Sequence, residues 1–252
     1  MLLVADVGNT HLHLGLYDGE RLVRTARLLA EDLLAMDEAW RRFVDGLPEP
    51  VLEGTVLCSV NPKVKIPFSH WIGQRFGRRP LVVGEGLELP IPLEVDDPHE
   101  VGADRIVNAF AALRLCGQGP LVVVDFGTAI TLDVVSETGA YLGGAIAPGV
   151  ETAARALAAR TALLPYVRVA PAERAIGRNT IEALRSGLWF GLRGLFEALC
   201  ARVIAELPRP PRLLATGGDA ALMVEGSSLG FELHPHLTLE GLRLAWQERG
   251  AP

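Results

Sequence analysis

The chain of 252 residues is long enough for one or two packed domains, and its composition is globular: 49% hydrophobic, 21% charged, mean hydropathy +0.27. A formal net charge of −6 argues against a general binder of nucleic acid or of a membrane surface; the positive charge is almost all arginine, with lysine only at Lys63 and Lys65. Cys58, Cys116 and Cys200 are odd in number, far apart and in no C-x-x-C, which predicts reduced, mostly buried thiols in a cytoplasmic protein. The N-terminus opens directly into a strand with an acid at position 6, unlike a signal peptide, and no apolar run approaches the roughly 18–20 residues that span a bilayer.

In chain order, Leu2–Asp6 reads as a buried strand, followed by the turn Val7-Gly8-Asn9-Thr10, a return strand from His11 and a third strand after Asp18-Gly19. Glu31 to Val44 has helical spacing (Leu33, Leu34, Trp40, Phe43), closed by Gly46 and Pro48. Thr55–Val60 is a strand ending at Asn61-Pro62, Phe68–Phe76 a helix, and Leu81–Val83 another buried strand. Residues 84–100, rich in proline and acid, read as a long connection over the surface or into a cleft. Val101-Gly102-Ala103-Asp104-Arg105 then opens a helix with an apolar stripe at Ile106, Phe110 and Leu113. Asp104 there is either an N-cap, stabilising by about 1 kcal/mol, or a functional acid. Arg105, one step inside a helix N-terminus where the macrodipole disfavours cations, favours the second reading: a ligand anion or a carboxylate neighbour.

Residues 121–149 repeat the N-terminal pattern. Leu121–Val124 has no polar alternation and ends on Asp125; a Phe126-Gly127-Thr128 turn, a return run Ile130–Val135, a turn at Glu137-Thr138-Gly139 and a third run Ala140–Ile146 follow. Asp6 lines up with Asp125, which predicts an internal duplication with one acidic hairpin per half. A carboxylate at the end of a buried strand is held rigidly beside a turn whose glycine lets a ligand approach the backbone. Asn or Thr adds a side-chain donor, and turn N–H groups can point at phosphate oxygens. Two such turns facing each other would offer carboxylates for cations and donors for a polyphosphate. The blander alternative, an Asp capping an ordinary hairpin, weakens when two matched copies are present.

In the second half, Pro148-Gly149 precedes an Ala-rich helix (Glu151–Ala159), and Gly177-Arg178-Asn179-Thr180 introduces the longest helix, to about Leu207. Asn179 with Glu182 resembles a capping box. Ala183, Gly187, Gly191, Gly194 and Ala198 share one face, and glycines there cost about 1 kcal/mol each relative to Ala; close approach of another helix, internal or from a second subunit, would compensate. Arg212–Ala215 is a strand, and Thr216-Gly217-Gly218-Asp219 a turn before a short helix at Ala220–Val224. That turn either passes flat against a planar ligand or is an ordinary strand–helix loop. There is no G-x-x-x-x-G-K-[ST], and Asp125-Phe126-Gly127 lacks the companion motifs of a protein kinase. His11 with His13, and His234 with His236, lack a third ligand for zinc.

These residues resemble the type III pantothenate kinases, members of the acetate-and-sugar-kinase/actin superfamily. The resemblance runs through Asp6-Val7-Gly8-Asn9-Thr10, Gly102-Ala103-Asp104-Arg105, Asp125-Phe126-Gly127-Thr128, Gly143-Gly144-x-Ile146-x-Pro148-Gly149, Gly177-Arg178-Asn179-Thr180 and Thr216-Gly217-Gly218. It implies an α/β fold of two duplicated ribonuclease-H-like (actin-like ATPase) domains with a cleft between them, here 1–115 and 116–252. It also implies transfer of the ATP γ-phosphoryl group to pantothenate, the first step of coenzyme A biosynthesis, with Mg²⁺ and a monovalent cation, K⁺ or NH₄⁺. By the same resemblance Asp6, Val7, Gly8, Asn9, Thr10, His11, Leu12 and His13 form the first phosphate loop, with Asp6 near the metal–phosphate cluster. Asp104 is the base, Gly102 to Arg105 and Thr180 hold pantothenate, Asp125 binds the monovalent cation and Thr128 contacts ATP. A homodimer with the substrate pocket near the subunit interface is implied as well. One departure stands at Val95, where family members commonly carry a substrate-contacting Tyr; no hydroxyl replaces it. Alternatives are a non-catalytic regulatory protein on the same scaffold, or another small-molecule kinase or polyphosphate phosphatase of the superfamily.

Overall fold

The structure, a computed structural model, describes residues 1–30, 35–48 and 50–249; Leu33 and Leu34 of the expected helical stripe lie outside these residues. Two compact units emerge, one made of Met1–Leu115 with His236–Pro252 and the other of Cys116–Pro235.

The first unit is built on a six-stranded sheet. β1 (Leu2–Val7), β2 (His11–Asp18) and β3 (Arg21–Leu29) form an antiparallel meander, and β4 (Gly54–Ser59), β5 (Leu81–Val83) and β6 (Gly86–Leu87) extend it in parallel, giving the order β3-β2-β1-β4-β5-β6. α1 (Met36–Val44) and α2 (Pro62–Phe76) bury Trp40, Phe43, Phe68 and Ile72 in one core with Leu3, Leu12, Leu14 and Leu57 of the sheet. α2 starts six residues before the expected Phe68: Asn61 accepts from the Lys63 N–H at 3.1 Å, and Pro62 needs no N–H at the first helical position. Residues 84–100 hold β6 and a 3-10 turn at Pro98–Glu100, followed by α3 (Ala103–Cys116).

The second unit repeats the plan. β7 (Leu121–Phe126), β8 (Ala129–Val135) and β9 (Tyr141–Pro148) form the meander, and β10 (Arg212–Thr216) and β11 (Glu232–Leu233) extend it in parallel, so the sheet reads β9-β8-β7-β10-β11. Three antiparallel strands continued by parallel ones, twice in one chain, make each unit ribonuclease-H-like. α4 (Val150–Arg160), α5 (Thr180–Glu206) and α6 (Ala220–Val224) complete it, with Phe196 edge-on to Phe126 at 5.1 Å between ring centroids.

Residues 236–252, assigned by sequence to the C-terminal domain, group instead with the first unit. Their helix, α7 (Leu237–Glu248), buries Leu237, Leu239, Leu242 and Ala245. It packs so closely that a Cβ on Gly54 of β4 would fall 2.1 Å from the Trp246 ring, and one on Gly241 would fall 2.7 Å from Val107 of α3. Arg114 of α3 clasps Glu248 at 2.7 and 2.9 Å. None of the cysteines is in a disulfide; Cys58 and Cys200 are buried and Cys116 half-buried. Among the described residues no helix is long and apolar enough to cross a membrane.

Candidate active site

In the first unit the acidic hairpin is made by burial. Leu2 to Ala5 and Val7 are buried, which leaves Asp6 as the one half-buried position of β1, at its C-terminal end. Asp6 pairs with His13 of β2 on one side and with Cys58 of β4 on the other. The Gly8 N–H donates to the His11 carbonyl at 3.0 Å and closes the turn, so this donor belongs to the hairpin rather than to a phosphate. Asn9 and Thr10, at the tip, are exposed. Val7 and Leu12 are core residues with no exposed side-chain surface, so only their backbone can face a ligand.

Asp104 lies on the same side of this unit. It is not the N-cap, because α3 already begins at Ala103; it stands in the first turn and accepts from the Arg105 N–H at 2.8 Å. A Cβ on Gly102 would sit 2.7 Å from Asp104 Oδ1 and 3.4 Å from Val60, the residue after β4, whose N–H donates to the Val7 carbonyl at 3.3 Å. Glycine at 102 therefore lets the start of α3 close onto the ends of β1 and β4. Burial raises the Asp104 carboxyl above its ordinary range, against the opposing pull of the Arg105 N–H and guanidinium. Cys58 links the two acids: its thiol donates to Asp6 Oδ1 at 3.5 Å, and the Asp104 charge is near enough to act on it. Sequence reasoning classed Cys58 only as a buried thiol; strand register alone reveals it.

The second hairpin repeats the burial pattern, with Asp125 half-buried between Val124 and Phe126. Gly127 N–H donates to Ala129 O at 3.0 Å, the counterpart of the Gly8 bond. Here the surroundings differ. Gly217, after β10 and at φ 95°, lies against the acid: a Cβ would be 2.4 Å from Asp125 Oδ1 and 2.6 Å from Phe126 O. Its glycine thus serves the carboxylate next to it. Gly149 presses on the turn from the other side, donating to Thr128 O at 3.1 Å, with Thr152 Oγ1 donating to the same oxygen at 2.6 Å. Thr128 itself is exposed.

Thr180 is the first residue of α5. Asn179 caps that helix by accepting from the Glu182 N–H at 2.9 Å, and Glu182 returns the bond to the Arg178 N–H, one residue earlier than in the usual capping box. With Leu157, Leu164, Arg178, Ala183 and Leu188, Thr180 lines a cavity of about 600 Å³ in the second unit. The glycine face beyond it meets nothing in the described chain: at Gly187, Gly191 and Gly194 a Cβ would find open space. Arg105 and Gly102 are half-buried beside Asp104, and so is Val95 in the segment before them.

Single half-buried carboxylates at strand ends, Asp6 and Asp125, suit a Mg²⁺ that keeps most of its ligands as water and phosphate, in contrast to a closed protein cage. No cluster of three or more His, Cys, Asp or Glu able to hold a metal occurs among the described residues. The strand-end carboxylates fit a metal that arrives with a nucleotide. The His13 and His236 rings meet at 5.8 Å, and burial, then His236 and Arg27, hold the His13 pKa down to about 4. His11 Nδ1 meets Arg27 at 3.1 Å.

A family model described as type III pantothenate kinase matches residues 2–202. A type III pantothenate kinase of Dehalococcoides mccartyi is 41% identical over 252 residues, covering 98% of this chain and 97% of its own. Among solved structures, a Campylobacter jejuni protein assigned to the Baf family of transcriptional activators has a TM-score of 0.59 at 19% identity, covering 98% of both chains. A ROK family glucokinase of Streptomyces griseus, solved with glucose and AMPPNP, has a TM-score of 0.51 at 15% identity and covers 97% of both. At those identities the likeness is one of fold, and it is to the actin-like and sugar-kinase class. Sequence identity over nearly the whole length carries the narrower conclusion: the chain belongs to the type III pantothenate kinase family.

Proposed function

We propose that the chain catalyses ATP-dependent phosphorylation of pantothenate to 4′-phosphopantothenate in the cytoplasm. The observation that carries this reading is a half-buried acid, Asp104, packed at the start of α3 against the ends of β1, which carries Asp6, and of its neighbour β4. Phosphoryl transfer to an alcohol asks mostly for positioning and charge neutralisation, with a base that accepts a proton late. Asp104 has that role: burial makes it a better proton acceptor than an exposed carboxylate, and it takes the proton from the attacking hydroxyl. Arg105 pairs with the pantothenate carboxylate, and Thr180 contacts the same substrate from the head of α5. Asp6 and the turn to His13 hold the metal–phosphate group, Thr128 contacts ATP, and Asp125 holds K⁺ or NH₄⁺. Bound Mg²⁺ supplies neutralisation of the phosphate charge. The open glycine face of α5 supports a homodimer, because nothing in the described chain occupies it.

The test is ADP release measured with pantothenate, with hexoses and with no acceptor, in potassium, ammonium and sodium-only buffers. Release is expected with pantothenate alone and should collapse in sodium. Release with a hexose would move the chain to another kinase activity of the superfamily, and none with any acceptor would favour a non-catalytic regulatory role. Equal rates in all three salts would remove the cation role of Asp125.

A further inference from the structure

Cys58 is the fifth residue of β4, has no exposed surface, and faces Asp6 across the parallel β1–β4 pairing. Its Sγ–H donates to Asp6 Oδ1 at 3.5 Å. A thiol, with an ordinary pKa of about 8–9, is a donor at neutral pH. An Ala here would offer no hydrogen, and a Ser would offer a stronger donor on a shorter arm. We propose that Cys58 is a positioning residue, whose thiol fixes the orientation of the Asp6 carboxylate toward the metal–nucleotide group. The proposal rests on the reading of Asp6 as part of the phosphate-binding turn.

The donor is weak, but its acceptor is a charged group that must meet a metal–phosphate cluster at a set angle. Losing the donor removes one of the contacts that orient the carboxylate, and the penalty falls on nucleotide binding rather than on pantothenate. That split separates positioning from a mere packing role, because a loosened β4 would weaken both substrates and the fold together.

The experiment uses the full chain as wild type, Cys58→Ala, Cys58→Ser and Asp6→Ala. It measures Mg·ADP affinity by calorimetry, KM for each substrate, and the S–H stretching band by Raman difference spectroscopy. Cys58→Ala should weaken Mg·ADP roughly fivefold to tenfold, the size of a modest charge-assisted hydrogen bond, and raise KM for ATP alike with KM for pantothenate unchanged. Cys58→Ser should recover to within about twofold, and Asp6→Ala should shift the Cys58 S–H band to the frequency of an unbonded thiol. Wild-type Mg·ADP affinity in Cys58→Ala, a serine variant no better than alanine, or an unmoved S–H band in Asp6→Ala would each overturn the proposal while leaving Asp6 in the site. Unchanged Mg·ADP affinity in Asp6→Ala would instead overturn the reading of Asp6, and this proposal with it.

Discussion

The two acidic hairpins share a burial pattern and a turn bond, yet they are held in place by different means. In the first, the loop between Val7 and its partner Leu12 is one residue longer than that between Phe126 and Ile130. Its acid is flanked by side chains: Cys58 from the neighbouring strand, with Asp104 close by. In the second, glycine backbone closes in as well, with Gly217 against the carboxylate and Gly149 against the turn. Duplication supplied the same strand–acid–turn unit twice. What is packed around each copy differs: a thiol beside the first acid, glycine backbone against the second.

The sharpest way to break this comparison is Asp104→Asn. Turnover should fall about 10²–10⁴-fold, the usual contribution of a general base, with substrate affinity nearly kept; near-wild-type phosphorylation would remove Asp104 from the chemistry. The same variant carries a stability signature. A carboxyl whose folded pKa is raised contributes stability below its unfolded value, near 3.8, and loses it as pH rises through the folded value. Asp104→Asn should therefore be at least as stable as wild type at neutral pH, with the advantage fading on acidification, as read from urea midpoints across pH.

Next in size is the contrast between glycines. Gly217→Ala combines a positive φ with a collision against backbone and carboxylate, and should cost about 3 kcal/mol. Gly8→Ala meets only the His11 carbonyl, at 3.0 Å and outside the left-handed region, and should cost about 1 kcal/mol or less. Equal shifts in urea midpoint would mean that the two turns are held alike after all. A further effect concerns His13, which neighbours His236 and Arg27 and has its folded pKa depressed to about 4. Its stabilising contribution is present above its unfolded value of 6.5 and lost as pH falls toward 4. His13→Gln should flatten that acid-side decline, by no more than about 2 kcal/mol once solvent screening is allowed for. An unchanged decline would assign it to other groups.

Much of this architecture was legible locally. Apolar runs ending on Asp6 and Asp125, with glycine turns and return strands, specify two hairpins because strand burial and turn chemistry act over a few residues. The cap at Asn179 and the short helix at Ala220–Val224 were readable for the same reason. The start of α2 is hidden in the sequence, since Pro62 and Pro67 mask a helix whose start depends on the Asn61 cap. What sequence could not supply is neighbourhood across long separations. Asp6 and Cys58 are 52 residues apart and meet only through the parallel register of β1 and β4. Gly217 reaches Asp125 only because β10 pairs with β7, and α7 joins the first unit because Trp246 finds its place on Gly54. The amino-acid order thus determined the strands, the turns and which acids end them. Tertiary packing alone decided which thiol would face Asp6 and which glycine would lie against Asp125, because such contacts depend on strand register and sheet order rather than on any local pattern.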